Sequence, residues 1–194
     1  MEGFLFYIEL GLGHVLDINA YDHILFLAAL ALPFTFRLWK QILTLVTIFT
    51  VAHCLSLAFS VYEIVEVNVA WIEFLIPITI LVTALFNVKE VVKKDTILNF
   101  KLQSAATAFF GLIHGFGFSN YFKMLMAGED SKLNPLLGFA TGIELSQIVI
   151  IIGVLLLAFL LVERLTLPKK YFVMGFSIIV ILITLPMIYN TWPG

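Results

Sequence analysis

The sequence predicts an all-α fold, a polytopic transmembrane helical bundle of about seven helices with the first one or two short. Three observations predict it. Hydrophobic residues make up 61% of the 194 and charged residues only 12%, against about 25% charge in a soluble domain. The mean hydropathy is +1.06, more apolar sequence than a soluble core of this size hides, so lipid is the solvent for much of the surface. The apolar residues also fall into separate runs, most of them near the length of about 20 that a lipid-crossing helix needs. No linker longer than about a dozen residues divides them, which makes residues 1–194 a single transmembrane domain.

The runs lie at residues 3–16, 21–36, 41–61, 69–88, 102–127, 136–162 and 171–189. The first two are short for full crossings, and the first reads as a partial or tilted helix. Basic residues occupy every second connection: Arg37 and Lys40, then Lys89, Lys93, Lys94 and Lys101, then Arg164, Lys169 and Lys170. The alternate connections hold Asp17, Glu63, Glu66, Glu129 and Asp130, with Lys132 as their one basic residue. Short cytoplasmic loops collect Lys and Arg. The alternation therefore places the N-terminus in the cytoplasm and the C-terminus outside if all seven runs cross. No Lys or Arg precedes Arg37, so the basic lead of a signal peptide is missing and the first run is expected to be retained. A net charge of −2 gives no reason to expect nucleic acid, and the single cysteine, Cys54, excludes a disulfide framework and a cysteine metal cluster.

Polar residues at membrane depth carry the chemistry. His14 and Asp17 share a face at the outer end of the first helix, and Asp22 and His23 open the second. His53 falls roughly 12 Å below the outer end of the third helix. Glu73 stands about a turn inside the fourth, His114 near the midplane of the fifth, and Glu144 and Gln147 on one face of the sixth. An acidic residue at the centre of a membrane helix costs about 2.5–3.5 kcal/mol on insertion scales, so such residues turn inward and find partners. Imidazole with carboxylate suits borderline divalent ions such as nickel, cobalt and zinc.

Each of these residues also has a plain structural reading. A lone intramembrane histidine is as often a hydrogen bond between helices, Asp22 an acid at a helix N-terminus, and Glu73 a solvated group beside Trp71. Cys54 reads as a buried thiol, and Met124 and Met126 as packing. What those readings leave unexplained is the set: four histidines on one side of the topology, with acids at similar depth. Two small-xxx-small pairs, Gly111 with Gly115 and Gly138 with Gly142, let helix backbones approach around it. Gly115 and Gly117 are expected to loosen the fifth helix and free carbonyls beside His114. A short echo relates residues 52–57 to 113–118, on helices expected to run in the same direction.

Four segments then carry a resemblance. They are Gly13-His14-Val15-Leu16 with Tyr21-Asp22-His23-Ile24-Leu25-Phe26, Thr50-Val51-Ala52-His53-Cys54-Leu55-Ser56-Leu57, Phe110-Gly111-Leu112-Ile113-His114-Gly115-Phe116-Gly117-Phe118, and Gly142-Ile143-Glu144-Leu145-Ser146-Gln147. In this order they resemble the HupE/UreJ family of bacterial membrane proteins, particularly its second subgroup. Asn19-Ala20 and Ser146 stand where that pattern has glycine, the interval from His14 to Asp22 is longer, and a His-rich periplasmic lead is missing. The resemblance implies a multi-pass permease of the bacterial cytoplasmic membrane for nickel or a related divalent ion, linked to metalloenzyme maturation. Its metal-handling positions correspond to His14, Asp22, His23, His53, His114 and Glu144. From their placement beside these, Asp17 and Gln147 are expected as outer partners of the ligands.

The expected function is thus uptake of a divalent transition-metal ion, nickel first and cobalt or zinc as alternatives, by a chain in the lipid bilayer that can associate with its own copies. No G-x-x-x-x-G-K-[ST] loop is present, so ATP hydrolysis by that route is excluded. A divalent ion moving into a negative interior gains about 4.6 kcal/mol per 100 mV, from two charges at about 2.3 each. The alternative is a membrane-embedded zinc-dependent hydrolase using the same histidines and acid to activate water. A haem carrier with His53 and His114 as axial ligands is the third reading.

Overall fold

In the computed structural model, which describes residues 2–93, 99–129 and 131–194, the chain is a helical bundle, and no strand occurs among the described residues. Seven α-helices follow in order: α1 Glu2–Leu16, α2 Asp22–Ala31, α3 Trp39–Val61, α4 Val69–Lys93, α5 Phe100–Leu125, α6 Leu133–Ala158 and α7 Lys169–Asn190. A short 3-10 turn, Phe36–Leu38, leads into α3, and α6 continues as a π-helical turn, Phe159–Arg164. Lys94 and Asp130, counted in the charge pattern, lie outside the described residues.

Four of these helical stretches are long and apolar enough to cross a membrane: Phe36–Val61, Val69–Val92, Leu133–Arg164 and Lys169–Asn190. Helix α5 has 26 residues but is more polar, because its inner face carries Thr107, Gly111, His114, Gly115 and Ser119, all buried. Its other face exposes Leu102, Phe109, Tyr121 and Met124. Helix α2 stops at Ala31, short of the expected 36, because Pro33 cannot continue an α-helix and restricts the residue before it.

Helix directions follow from the contacts. A Cβ on Gly138 would meet Phe4 and Tyr7, a Cβ on Gly142 would meet Ile8 and Leu12, and Ser146 Oγ donates to the Leu12 carbonyl at 3.3 Å. Residue numbers rise together, so α1 and α6 are parallel. Helix α3 is antiparallel to α6, since Phe36 faces Phe159 while Thr47 bonds Glu144. Gly111 lies on Phe49 and Gly115 on His53, which makes α3 and α5 parallel. Helix α4 runs against α5, with Ile76 over Gly117 and Phe86 beside Gln103. Asn87 Nδ2 donates to the Ala29 carbonyl at 2.7 Å, and Asp22 shares a cavity with Glu73, so α2 and α4 are parallel.

Two consequences follow. Helices α1 and α2 run the same way, and residues 17–21 step the chain sideways instead of reversing it. Tyr7 OH donates to Glu129 Oε1 at 3.0 Å, and Trp192 packs on Phe74 at 5.1 Å, so both chain ends reach the same end of the bundle. The expectation of termini on opposite sides was conditional on all seven runs crossing. Helix α5 also runs unbroken through Gly115 and Gly117. Those glycines allow close approach and do not unwind the helix.

Gly115 marks the tightest contact. A methyl there would overlap Ser56 Oγ and the His53 carbonyl, which belongs to a helix backbone and cannot move aside. Gly153, on α6, has open space around it. Gly115→Ala is expected to destabilise the bundle by about 1–3 kcal/mol, as overpacking does, and Gly153→Ala to leave it unchanged or slightly firmer. Unfolding in mixed detergent micelles measures both.

Candidate metal centre

Four helices deliver one histidine each to the interior. His14 comes from the last turn of α1, His23 is the second residue of α2, and His53 and His114 lie within α3 and α5. His53 is about eight residues from the end of α3 and His114 about eleven from the end of α5, or roughly 12 and 16 Å along the helices. One ring nitrogen from each of His14, His23 and His53 lies within 4.8 Å of the others. Ring centroids are 4.6 Å apart for His14–His23, 5.7 Å for His14–His53 and 5.6 Å for His23–His53. His114 joins from below, its ring 5.1 Å from that of His23.

Phenylalanines wall the group. Phe118 lies 4.0 Å from His14 and stacks on Phe139. Phe26 and Phe49 each lie 5.2 Å from His114. In this aromatic surround His14 Nε2, His23 Nε2, both nitrogens of His53 and His114 Nε2 are buried without a hydrogen-bond partner among the described residues. A buried polar atom left unpaired costs about 1–3 kcal/mol, and native interiors hold few of them. Five in one cluster fit a ligand that imidazole nitrogens bind. His23 packs against both His53 and His114, so no porphyrin-sized slab lies between those two rings, and the haem reading loses its geometry.

Two tautomers can be assigned from their bonds. His114 Nδ1 lies 2.8 Å from the Phe110 carbonyl, an acceptor only, so Nδ1 carries the hydrogen and Nε2 keeps its lone pair. His23 Nδ1 lies 3.1 Å from Asp22 Oδ1 and donates to that carboxylate, which again turns a bare Nε2 inward. Carboxylate behind imidazole behind ion is the usual arrangement at metal sites. Asp22 therefore stands behind a ligand position; its Oδ1 also accepts the His23 backbone N–H at 2.8 Å.

The other expected residues lie elsewhere. Glu144 meets hydroxyls: Thr47 Oγ1 donates at 2.6 Å and Thr50 Oγ1 at 2.5 Å. Thr50 Oγ1 is also 2.9 Å from Gln147 Oε1. Among the described residues no hydrogen bond or ion pair joins Glu144 or Gln147 to a histidine. Asp17 is exposed and accepts from the backbone N–H and Nδ2 of Asn19, which shapes the α1–α2 connection. Gly111 and Gly115 seat α5 on α3, and Gly138 and Gly142 seat α6 on α1. Met126 is buried against the core and Met124 is exposed.

A cavity of about 240 Å³ leads toward the cluster from the end where α4 begins, lined by Asn19, Tyr21, Asp22, Glu73, Pro77 and Thr191. Pro77 has no N–H to offer the Glu73 carbonyl one turn earlier, so that oxygen joins the exposed Glu73 carboxylate as an acceptor at the opening.

Sequence reasoning missed the threonines and the aromatic wall. A spacing signal for the threonines existed, because Thr47, Thr50 and His53 recur every three residues and so share one face of α3. Nothing comparable singled out Phe118 or Phe139 among 19 phenylalanines.

A bundle of apolar helices that closes four imidazoles into a dry centre defines a multi-pass helical membrane protein with a buried histidine site. The chain belongs to the HupE/UreJ family: the sequence pattern described as HupE / UreJ protein matches residues 1–191. No curated protein and no solved structure matches it.

Thr50→Val would remove the hydroxyl shared by Glu144 and Gln147 and is expected to cost about 1–3 kcal/mol through the stranded acceptors. Thr141→Val, on an exposed site where the hydroxyl bonds only its own turn, should change little. Detergent unfolding of the two variants side by side makes the comparison.

Proposed function

We propose that this chain is a permease of the bacterial cytoplasmic membrane for a divalent transition-metal ion, nickel first and cobalt or zinc as alternatives. The observation that carries the reading is the approach of His14, His23 and His53 nitrogens to within 4.8 Å. The unpartnered Nε2 of His114 lies one step deeper. In this reading the ion passes Glu73 and Asp22, is held by His14, His23 and His53, and moves on to His114. Asp22 orients His23 and offsets part of the ion's charge. Glu144 and Gln147 brace α3 against α6 and take no place in the ligand set. With the basic connections on the cytoplasmic side, the centre lies in the outer half to the middle of the bundle. The membrane potential then draws the ion inward, at about 4.6 kcal/mol per 100 mV for two charges.

The family match and the donor chemistry support the same reading, since imidazole suits nickel, cobalt and zinc better than calcium or magnesium. Cobalt(II) absorption of the purified protein tests it, together with radioactive nickel uptake into vesicles held negative inside. His53→Ala is expected to abolish both signals. Asp22→Asn should weaken binding about 10–100-fold, as loss of an orienting partner does, while Asp17→Asn leaves it unchanged. Full uptake by the His53 variant would sink the assignment. A zinc ion that stays bound stoichiometrically, with no flux, would favour the hydrolase.

A further inference from the structure

A second cavity, of about 150 Å³, lies between α2, α4 and α5 at the end of the bundle opposite the first. It holds room for several waters, since one needs about 10–15 Å³ measured this way. Its polar lining comes from Thr83, Asn87, Lys89, Glu90, Asn99, Gln103 and Thr107, among apolar side chains. Gln103 Oε1 is buried there without a partner. Thr83 gives its hydrogen to the Thr79 carbonyl at 2.8 Å and keeps its lone pairs. Its lining reaches the last turns of α4 and the start of α5 at Lys89, Glu90 and Asn99, and the Lys89 ammonium rests over the Phe86 ring.

Phe26 and Phe110 line this cavity too, and both touch the histidine centre. The Phe26 ring is 5.2 Å from His114 and 6.0 Å from Phe110, edge to face. The Phe110 carbonyl holds His114 Nδ1 at 2.8 Å. Phe26 is fully buried, so one aromatic layer separates the His114 ring from a mainly apolar space that carries several oxygen donors.

We propose that this cavity is the cytoplasm-facing release chamber for the ion, and that the Phe26–Phe110 pair is the closed gate between it and the histidines. The proposal rests on the permease reading. Its chemistry follows from the two donor sets: hydroxyl, amide and carboxylate oxygens hold nickel, cobalt or zinc less firmly than imidazole. An ion that passes the ring pair exchanges nitrogen for oxygen and water. Displacement of the Phe26 ring from its stack on Phe49, 4.9 Å away, opens the way.

The single cysteine makes the test direct. In a Cys54→Ala background, Gln103→Cys and, separately, Thr107→Cys are treated with a charged, membrane-impermeant methanethiosulfonate. Both should react in inside-out vesicles and at least tenfold more slowly in right-side-out ones. Adding Phe26→Ala should bring the right-side-out rate close to the inside-out rate. The proposal is overturned if neither cysteine reacts from the inside, if both react equally from the two sides with Phe26 present, or if Phe26→Ala changes nothing. No metal enters these measurements, so their failure is distinguishable from failure of nickel binding at the histidines.

Discussion

The close approach of backbones at glycine is the constraint on which the rest of this structure depends. In lipid the apolar surfaces of two helices gain little by meeting, so association rests on packing and interhelical hydrogen bonds. Gly111 and Gly115 let α5 lie directly on the Phe49 and His53 carbonyls of α3. Gly11 and Gly142 do the same between α1 and α6. With either pair held apart by a side chain, the short reach of an imidazole would not bridge four helices. The glycines supply no chemistry, yet the spacing of the nitrogens depends on them.

That spacing creates a tension which the fold leaves in place. Several hydroxyls elsewhere in the bundle are quenched by their own helices, as Thr79, Thr83, Thr184 and Ser56 show, with Ser177 Oγ an exception. The imidazoles are not quenched. His23 and His114 each spend Nδ1 on an oxygen acceptor and keep Nε2 bare, and His53 spends neither nitrogen. An interior that bonds these hydroxyls and leaves five ring nitrogens unpaired supports the reading of a ligand site. The stacked rings of Phe118 and Phe139 sharpen this by keeping other partners away.

Much of this was legible in the sequence. Hydropathy set the helices to within a few residues, because lipid imposes both length and composition on a crossing segment. The ends differed where Pro33 stopped α2 early, a local rule overridden by the apolar run around it. The gathering of His14, His23, His53 and His114 followed from depth, since residues at one level of a small bundle have few places to go. Glu144 was misplaced because depth says nothing about azimuth, and the α6 face carrying it turns to Thr47 and Thr50. The direction of α1 was missed for a related reason. Alternating charge assigns loops to sides, but Asp17 alone did not reveal that residues 17–21 fail to reverse the chain.

The broken pair α1–α2 has an electrostatic logic of its own. Helix α1 ends at Leu16, so the negative end of its dipole comes close to His14, where a cation is favoured. Helix α2 begins at Asp22, and its positive end would repel the same cation. The Asp22 carboxylate sits on that end, accepts the His23 backbone N–H and holds the His23 ring. One acid thus offsets an unfavourable dipole and orients an imidazole. Irregular backbone at membrane depth is tolerated where it lines a cavity, and Asn19, Ala20 and Tyr21 do line one. Discontinuous helices whose ends point at the cargo are a recurring device of membrane transporters. In the permease reading the break would give a cation a helix C-terminus, three imidazoles and a carboxylate behind one of them.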